Sequence, residues 1–227
     1  MKFYLYISDT KVDMLLPQIP QDVKRDIATE FKVDLKLFSA SRKSEIRNSE
    51  DRISRLEAVC DFIRQYGDVG DVDQPGEYVQ DVLEMRMLTE RLYDPPMVFF
   101  CSRTSQTLVG IGGSAQHLIG YVGQDDPPER TPSPPDLIPL LMQVLERLPW
   151  PEAAEMADVD PEWGLSRIKG FLNTRPPGIV QRYEFLAKRM LWEQPKQSRY
   201  DHDYEHDLGA HSRKILLASP LYVAMAD

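Results

Sequence analysis

MVFFCSRTSQTLVGIGGSAQHLIG, residues 97–120, is the stretch on which the fold reading turns. Residues 97–101 and 107–111 are short apolar runs of β-branched, aromatic and aliphatic side chains, and the polar residues 102–106 lie between them. That is the pattern of two buried strands joined by a hairpin loop. Upstream, residues 78–88 match neither the helical nor the strand period cleanly. Read as a strand, they would pair with residues 97–101 to form a meander.

Further out, Phe3, Leu5 and Ile7 alternate with Tyr4 and Tyr6, which predicts an opening strand with the first set facing the core and the tyrosines on the opposite face, partly covered by a helix. Val23, Ile27 and Phe31 then recur at helical spacing, and Val33, Leu35 and Leu37 alternate as a strand would. From Asp51 to Tyr66, the apolar residues Ile53, Leu56, Val59, Cys60, Ile63 and Tyr66 follow the helical period, with Ser49, Glu50 and Asp51 at the positive end and Gly67 as the stop. Past residue 120 comes a proline-rich loop, 125–135, then a helix capped by Asp136 and carrying Leu141, Val144, Leu145 and Leu148 until Pro149 ends it. Residues 149–178, with Trp150, Trp163, Ile168 and Leu172, read as an irregular cover. Ile179, Tyr183, Leu186 and Met190 suit a helix, but residues 179–192 also suit a strand paired with the final apolar run, 214–224. A charged loop, 196–212, separates the two.

Strands and helices do not alternate regularly, which disfavours a doubly wound sheet. The expected fold is therefore α+β, a mixed or antiparallel sheet with several packed helices, in one domain over residues 1–227. The 227 residues carry 27 Lys+Arg against 36 Asp+Glu, a net charge of −9. That balance argues against bulk nucleic-acid binding, which needs a phosphate-neutralising surface. No apolar run approaches a membrane span and the opening lacks a signal-peptide pattern, so a cytoplasmic protein is expected. Cys60 and Cys101 each sit inside an apolar pattern, which predicts buried free thiols rather than a disulfide.

Three segments could carry chemistry. In the first, the strand ending at Ile111 runs into Gly112-Gly113, and Ser114 can cap a short helical turn bearing His117. Glycines at such a junction let a ligand oxygen approach backbone N–H groups, which favours anions, and His117 would add a donor. No lysine follows as in a Walker loop, and no acidic residue completes a dinucleotide fingerprint. A structural bulge or tight turn is the alternative. The second segment is Ser8-Asp9-Thr10-Lys11 at the first strand's end, where Asp9 and Lys11 could bind a ligand, or Asp9 could cap the next turn with Lys11 in solvent. Arg86, between Met85 and Met87, and Arg103 are further cations that an anion could use.

The third segment contains His202, Glu205 and His206, an H-x-x-E-H spelling seen in one class of zinc peptidases, with Asp207 and His211 nearby. Against a hydrolase stand the lack of an apolar face to anchor a helix and the short chain remaining for a third ligand. A solvated charged loop is the alternative. There is no nucleophile elbow and no C-x-x-C pair, so neither a catalytic residue nor a cofactor is assigned.

Four stretches, YLYISDTKVDML at residues 4–15, LVGIGGSAQHLIG at 108–120, YEFLAKR at 183–189 and SPLYVA at 219–224, are similar to a family of actinobacterial proteins of unknown function. The resemblance implies one family-length unit and transfers no catalytic residue. The expectation is a ligand-binding or interaction module, a sensor of an anionic, phosphorylated small molecule, with Gly112, Gly113, Ser114, His117, Asp9 and Lys11 at the site. The rivals are a metal-dependent hydrolase using His202, Glu205 and His206, and a structural partner protein docking through the proline loop at 127–135.

Overall fold

The computed structural model describes residues 2–23, 49–90, 96–120, 172, 179–193 and 213–227. In chain order these form β1 (Phe3–Ile7), α1 (Asp9–Leu15) running into a 3₁₀ turn (Leu16–Gln18), α2 (Ser49–Tyr66), β2 (Val69–Gly70), β3 (Tyr78–Glu90), β4 (Met97–Arg103), β5 (Thr107–Ser114), a second 3₁₀ turn (Ala115–His117), β6 (Val180–Glu193) and β7 (Lys214–Met225).

Strands dominate, and five of them close on themselves. The ring runs β3–β4–β5–β7–β6 and back to β3, every contact antiparallel except β5 with β7. The α+β expectation of a sheet packed by several helices is therefore corrected: the core is a closed five-stranded β-barrel with helices on its outside. Closure comes from long strands that change neighbours along their length. Residues Tyr78–Arg86 of β3 pair with β6, and Arg86–Glu90 pair with β4. Register shifts between β6 and β7 at Leu186/Ala187 and Arg189/Leu191 supply the bending that a small barrel needs.

Residues 179–192, open between helix and strand from sequence, belong to a strand apart from its first residue. Their helix-like spacing arises because β6 is covered on both sides. Phe185 and Ala187 face the barrel interior with Val98, Phe100, Val109, Ile111, Leu216 and Val223, while Leu186 packs with the helices. A strand buried on two faces has no clean alternation. Outside the barrel, Leu56, Val59, Cys60 and Ile63 of α2, with Val12 of α1 and Leu16, form a second core against Tyr4, Ile7, Leu221 and Tyr222. Ile53 and Tyr66, predicted on that apolar face, are exposed instead.

The expected alternation in β1 is also overturned. Phe3 is 65% exposed, whereas Tyr4 and Tyr6 are buried. Tyr4 pairs with Ala224 and Tyr6 with Val223, so Leu5 is an extra residue in a bulge. The bulge puts Tyr4 and Ile7 in the helix layer and turns Tyr6 toward the barrel interior.

β7 also contains the feature that positions the site. Its first half, Lys214–Ala218, pairs with β5, and its last residues, Tyr222–Met225, pair with β1 on the same flank. Between them, at residues 219–221, the neighbour changes. On the other side of this seam β5 continues past its last β7 pair, Ile111–Ala218, to Ser114, held only by β4 among the described strands. The helix and strand expected over residues 23–37, the loop at 125–135, the helix after Asp136, residues 149–178 apart from Leu172, and the loop at 196–212 lie outside the described residues.

Candidate functional site

Over the seam, α1 and the barrel wall enclose a cavity of about 520 Å³. Its roof is the α1 face bearing Thr10, Lys11, Met14 and Leu15, with Gln18 beyond. The wall beneath is built from small residues, Gly112, Gly113 and Ser114 of β5 and Ser219 of β7, with Leu221 and Met97 beside them. Tyr6 comes in from β1, and Glu77, Tyr78, Lys188 and Met190 complete the lining, Lys188 lying across from Ser219 in the β6–β7 ladder. A concave, largely apolar chamber with a few polar groups is the usual character of a small-molecule site.

Two polar groups stand out at the seam end. The Lys11 ammonium donates to the Pro220 carbonyl at 3.0 Å and to Ser8 Oγ at 3.4 Å. No carboxylate among the described residues pairs with it, and burial lowers its pKa to about 8. The Tyr6 hydroxyl is fully buried and has no hydrogen-bond partner among the described residues. Burial pushes its pKa upward, so it stays protonated as a potential donor. Ser8, also fully buried and two residues further along, is the neighbour that eases Tyr6 ionisation. Ser8 thus sits beside both Lys11 Nζ and Tyr6 OH, which brings these two groups to one corner of the cavity.

The second lysine of the lining already has its counter-charge. Lys188 forms an ion pair with Glu77 and lies over the Tyr78 ring, 4.8 Å from its centroid.

The glycine segment is not the turn expected from sequence. Gly112 and Gly113 are residues of β5, paired with Phe99 and Val98, and neither has a positive φ. Gly113 is glycine for packing reasons, since a Cβ there would lie 2.3 Å from the Tyr6 hydroxyl oxygen. Ser114 does cap the short turn that follows, its Oγ accepting from the Gln116 N–H at 3.4 Å.

Of the residues singled out from sequence, Gly112, Gly113, Ser114 and Lys11 border this cavity. His117 and Asp9 are not on its wall. His117 meets the Tyr6 ring edge-on, centroids 5.6 Å apart, and burial lowers its pKa to about 4, so it is a neutral ring. Asp9 is bound to Arg52 Nε at 2.9 Å. Arg86 and Arg103 border a separate depression with Cys101 and Leu172. His202, Glu205 and His206 lie outside the described residues. Sequence reasoning missed Tyr6, Ser219 and Leu221, because the β1 bulge and the β7 seam leave no periodic signature.

Fold and cavity together define a closed β-barrel protein with a chamber between α1 and the seam in the barrel wall. The chain belongs to a family of unknown function, DUF7019, whose model matches residues 2–227. No curated protein and no solved structure matches it. No helix among the described residues is long and apolar enough to cross a membrane.

Proposed function

We propose that this protein is a ligand-binding module that takes an anionic small molecule with an apolar body into the chamber between α1 and the barrel. The observation that carries the reading is Lys11, a half-buried lysine whose ammonium has no carboxylate partner among the described residues, on the wall of a mainly apolar cavity. Burying a cation without a counter-charge is costly, and an anionic ligand supplies that charge where water is scarce. Apolar walls reward burial of the rest of the molecule at roughly 25 cal/mol per Å². A sensor role fits this arrangement, because α1 is the roof and also packs in the helix core, so occupancy can be felt by α2. Two buried free thiols suit the reducing cytoplasm.

The test uses two probes of similar shape, 1-anilinonaphthalene-8-sulfonate and uncharged N-phenyl-1-naphthylamine. The sulfonate should bind one to one, and Lys11→Met should weaken it at least tenfold while changing the uncharged probe little. Equal effects of Lys11→Met on both probes would defeat the reading.

A further inference from the structure

The polar corner of the cavity is specific enough to narrow the ligand class. We infer that the ligand is a monocarboxylate with an apolar tail, its carboxylate seated between the Lys11 ammonium and the Tyr6 hydroxyl. The inference rests on the anion-binding reading of the same cavity and would fall with it.

Charge comes first. Lys11 is the one cation on the cavity wall without an ion-pair partner among the described residues, since Lys188 is neutralised by Glu77. The site therefore offers a single positive charge. A carboxylate balances it. A phosphate monoester brings about −1.5 to −2 at neutral pH and would leave negative charge uncompensated in apolar surroundings.

Donor count agrees. An ammonium has three N–H donors. Among the described residues Lys11 uses two of them, on Pro220 O and Ser8 Oγ, and keeps one. Tyr6 has one O–H, fully buried and without an acceptor among the described residues. Those two donors, brought to one corner by Ser8, match the two oxygens of a carboxylate. The Ser114 hydroxyl, already accepting from Gln116, can add a neutral donor but no charge. An orphaned buried hydroxyl is destabilising, and a carboxylate oxygen would give Tyr6 its missing acceptor.

The apolar part of the remaining wall is Met14, Leu15, Met97, Met190 and Leu221, beside Tyr78 and the Glu77–Lys188 ion pair. Three thioethers and two leucines offer no fixed hydrogen-bond pattern, and methionine adapts its shape to a flexible occupant. They suit a hydrocarbon tail better than a sugar or a base, whose polar edges would go unpaired.

The experiment is calorimetry on the full chain at pH 7 with decanoate, decyl phosphate and decan-1-ol, each below its aggregation threshold. Decanoate should bind one to one, with decyl phosphate and decanol each at least tenfold weaker. Tyr6→Phe keeps the ring in the core and should weaken decanoate at least fivefold while leaving decanol unchanged; a thermal melt of the variant confirms that it is folded. Decyl phosphate binding as tightly as decanoate would overturn the carboxylate assignment and leave the anion reading standing. Equal binding of all three would overturn both. Decanoate binding that is indifferent to Tyr6→Phe, or the absence of any decanoate binding, would overturn the inference.

Discussion

At the scale of single residues, the site depends on groups held in unfavourable surroundings. Lys11 should titrate near 8 in the folded protein but near its ordinary value of 10.5 when unfolded. Between those values the unfolded chain holds more protons, so folding stability should rise with pH across that window. Anion binding needs the protonated amine and should weaken across the same window. Among the described residues, the charged and titratable groups around Lys11 and its cavity are the Asp9–Arg52 and Glu77–Lys188 ion pairs, Tyr78, Tyr6, which stays protonated, and His117, which is already neutral. Melting temperature and probe affinity followed from pH 7 to 10 should move in opposite directions; parallel movement would contradict this account of Lys11. Gly113 gives a second expectation. Gly113→Ala places a methyl group against the Tyr6 hydroxyl, and overpacking of this kind costs about 1–3 kcal/mol. In a Tyr6→Phe background the penalty should shrink, because the clashing oxygen is gone. Equal penalties in the two backgrounds, measured by denaturant unfolding, would rule out the Tyr6 contact as its cause.

At the scale of elements, legibility follows how many faces a segment buries. Helix α2 could be read because its large buried side chains, Leu56, Val59, Cys60 and Ile63, form one stripe. Strands β4 and β5 could be read as short continuous apolar runs ending at polar loop residues. β6 could not, since Phe185, Leu186 and Ala187 are all buried, to different cores, and this mimics helical spacing. β1 misled for a different reason: its Leu5 bulge has no marker in the sequence, and one extra residue exchanges the faces. The site was legible to the same extent. Glycines next to a serine, and a lysine after a strand, drew attention to the right wall, but Tyr6 could be placed only by the bulge. Cys60 on α2 and Cys101 on β4 are buried free thiols, and burial pushes both pKa values up, that of Cys101 to about 12. A thiol reagent should therefore find neither in the native protein and both after denaturation. Rapid labelling of either in the native state would show that its element is not packed as described.

On the scale of the whole molecule, β7 is the keystone of the topology. It pairs with β1, β5 and β6, and it joins the first residues of the chain to the last. Deleting residues 214–227 should leave no barrel, so the truncated chain should lose dispersed amide resonances and be cut rapidly by protease. Persistence of the native spectrum would contradict the closed ring. Contacts this distant in sequence also predict refolding in milliseconds to seconds rather than microseconds. The same long-range closure explains why the fold class was misjudged from sequence: the length of β3, β6 and β7 and their changes of partner create the barrel, and neither is visible in a local window. The seam left by those changes is where the cavity lies, so topology and proposed function rest on one feature. The most direct test of that proposal is the ¹³Cε resonance of Lys11, assigned by comparison with Lys11→Met and followed against pH with and without decanoate. A midpoint near 8 that moves upward by at least one unit when decanoate is present is the predicted result; an ordinary midpoint near 10.5, unmoved by decanoate, would contradict it.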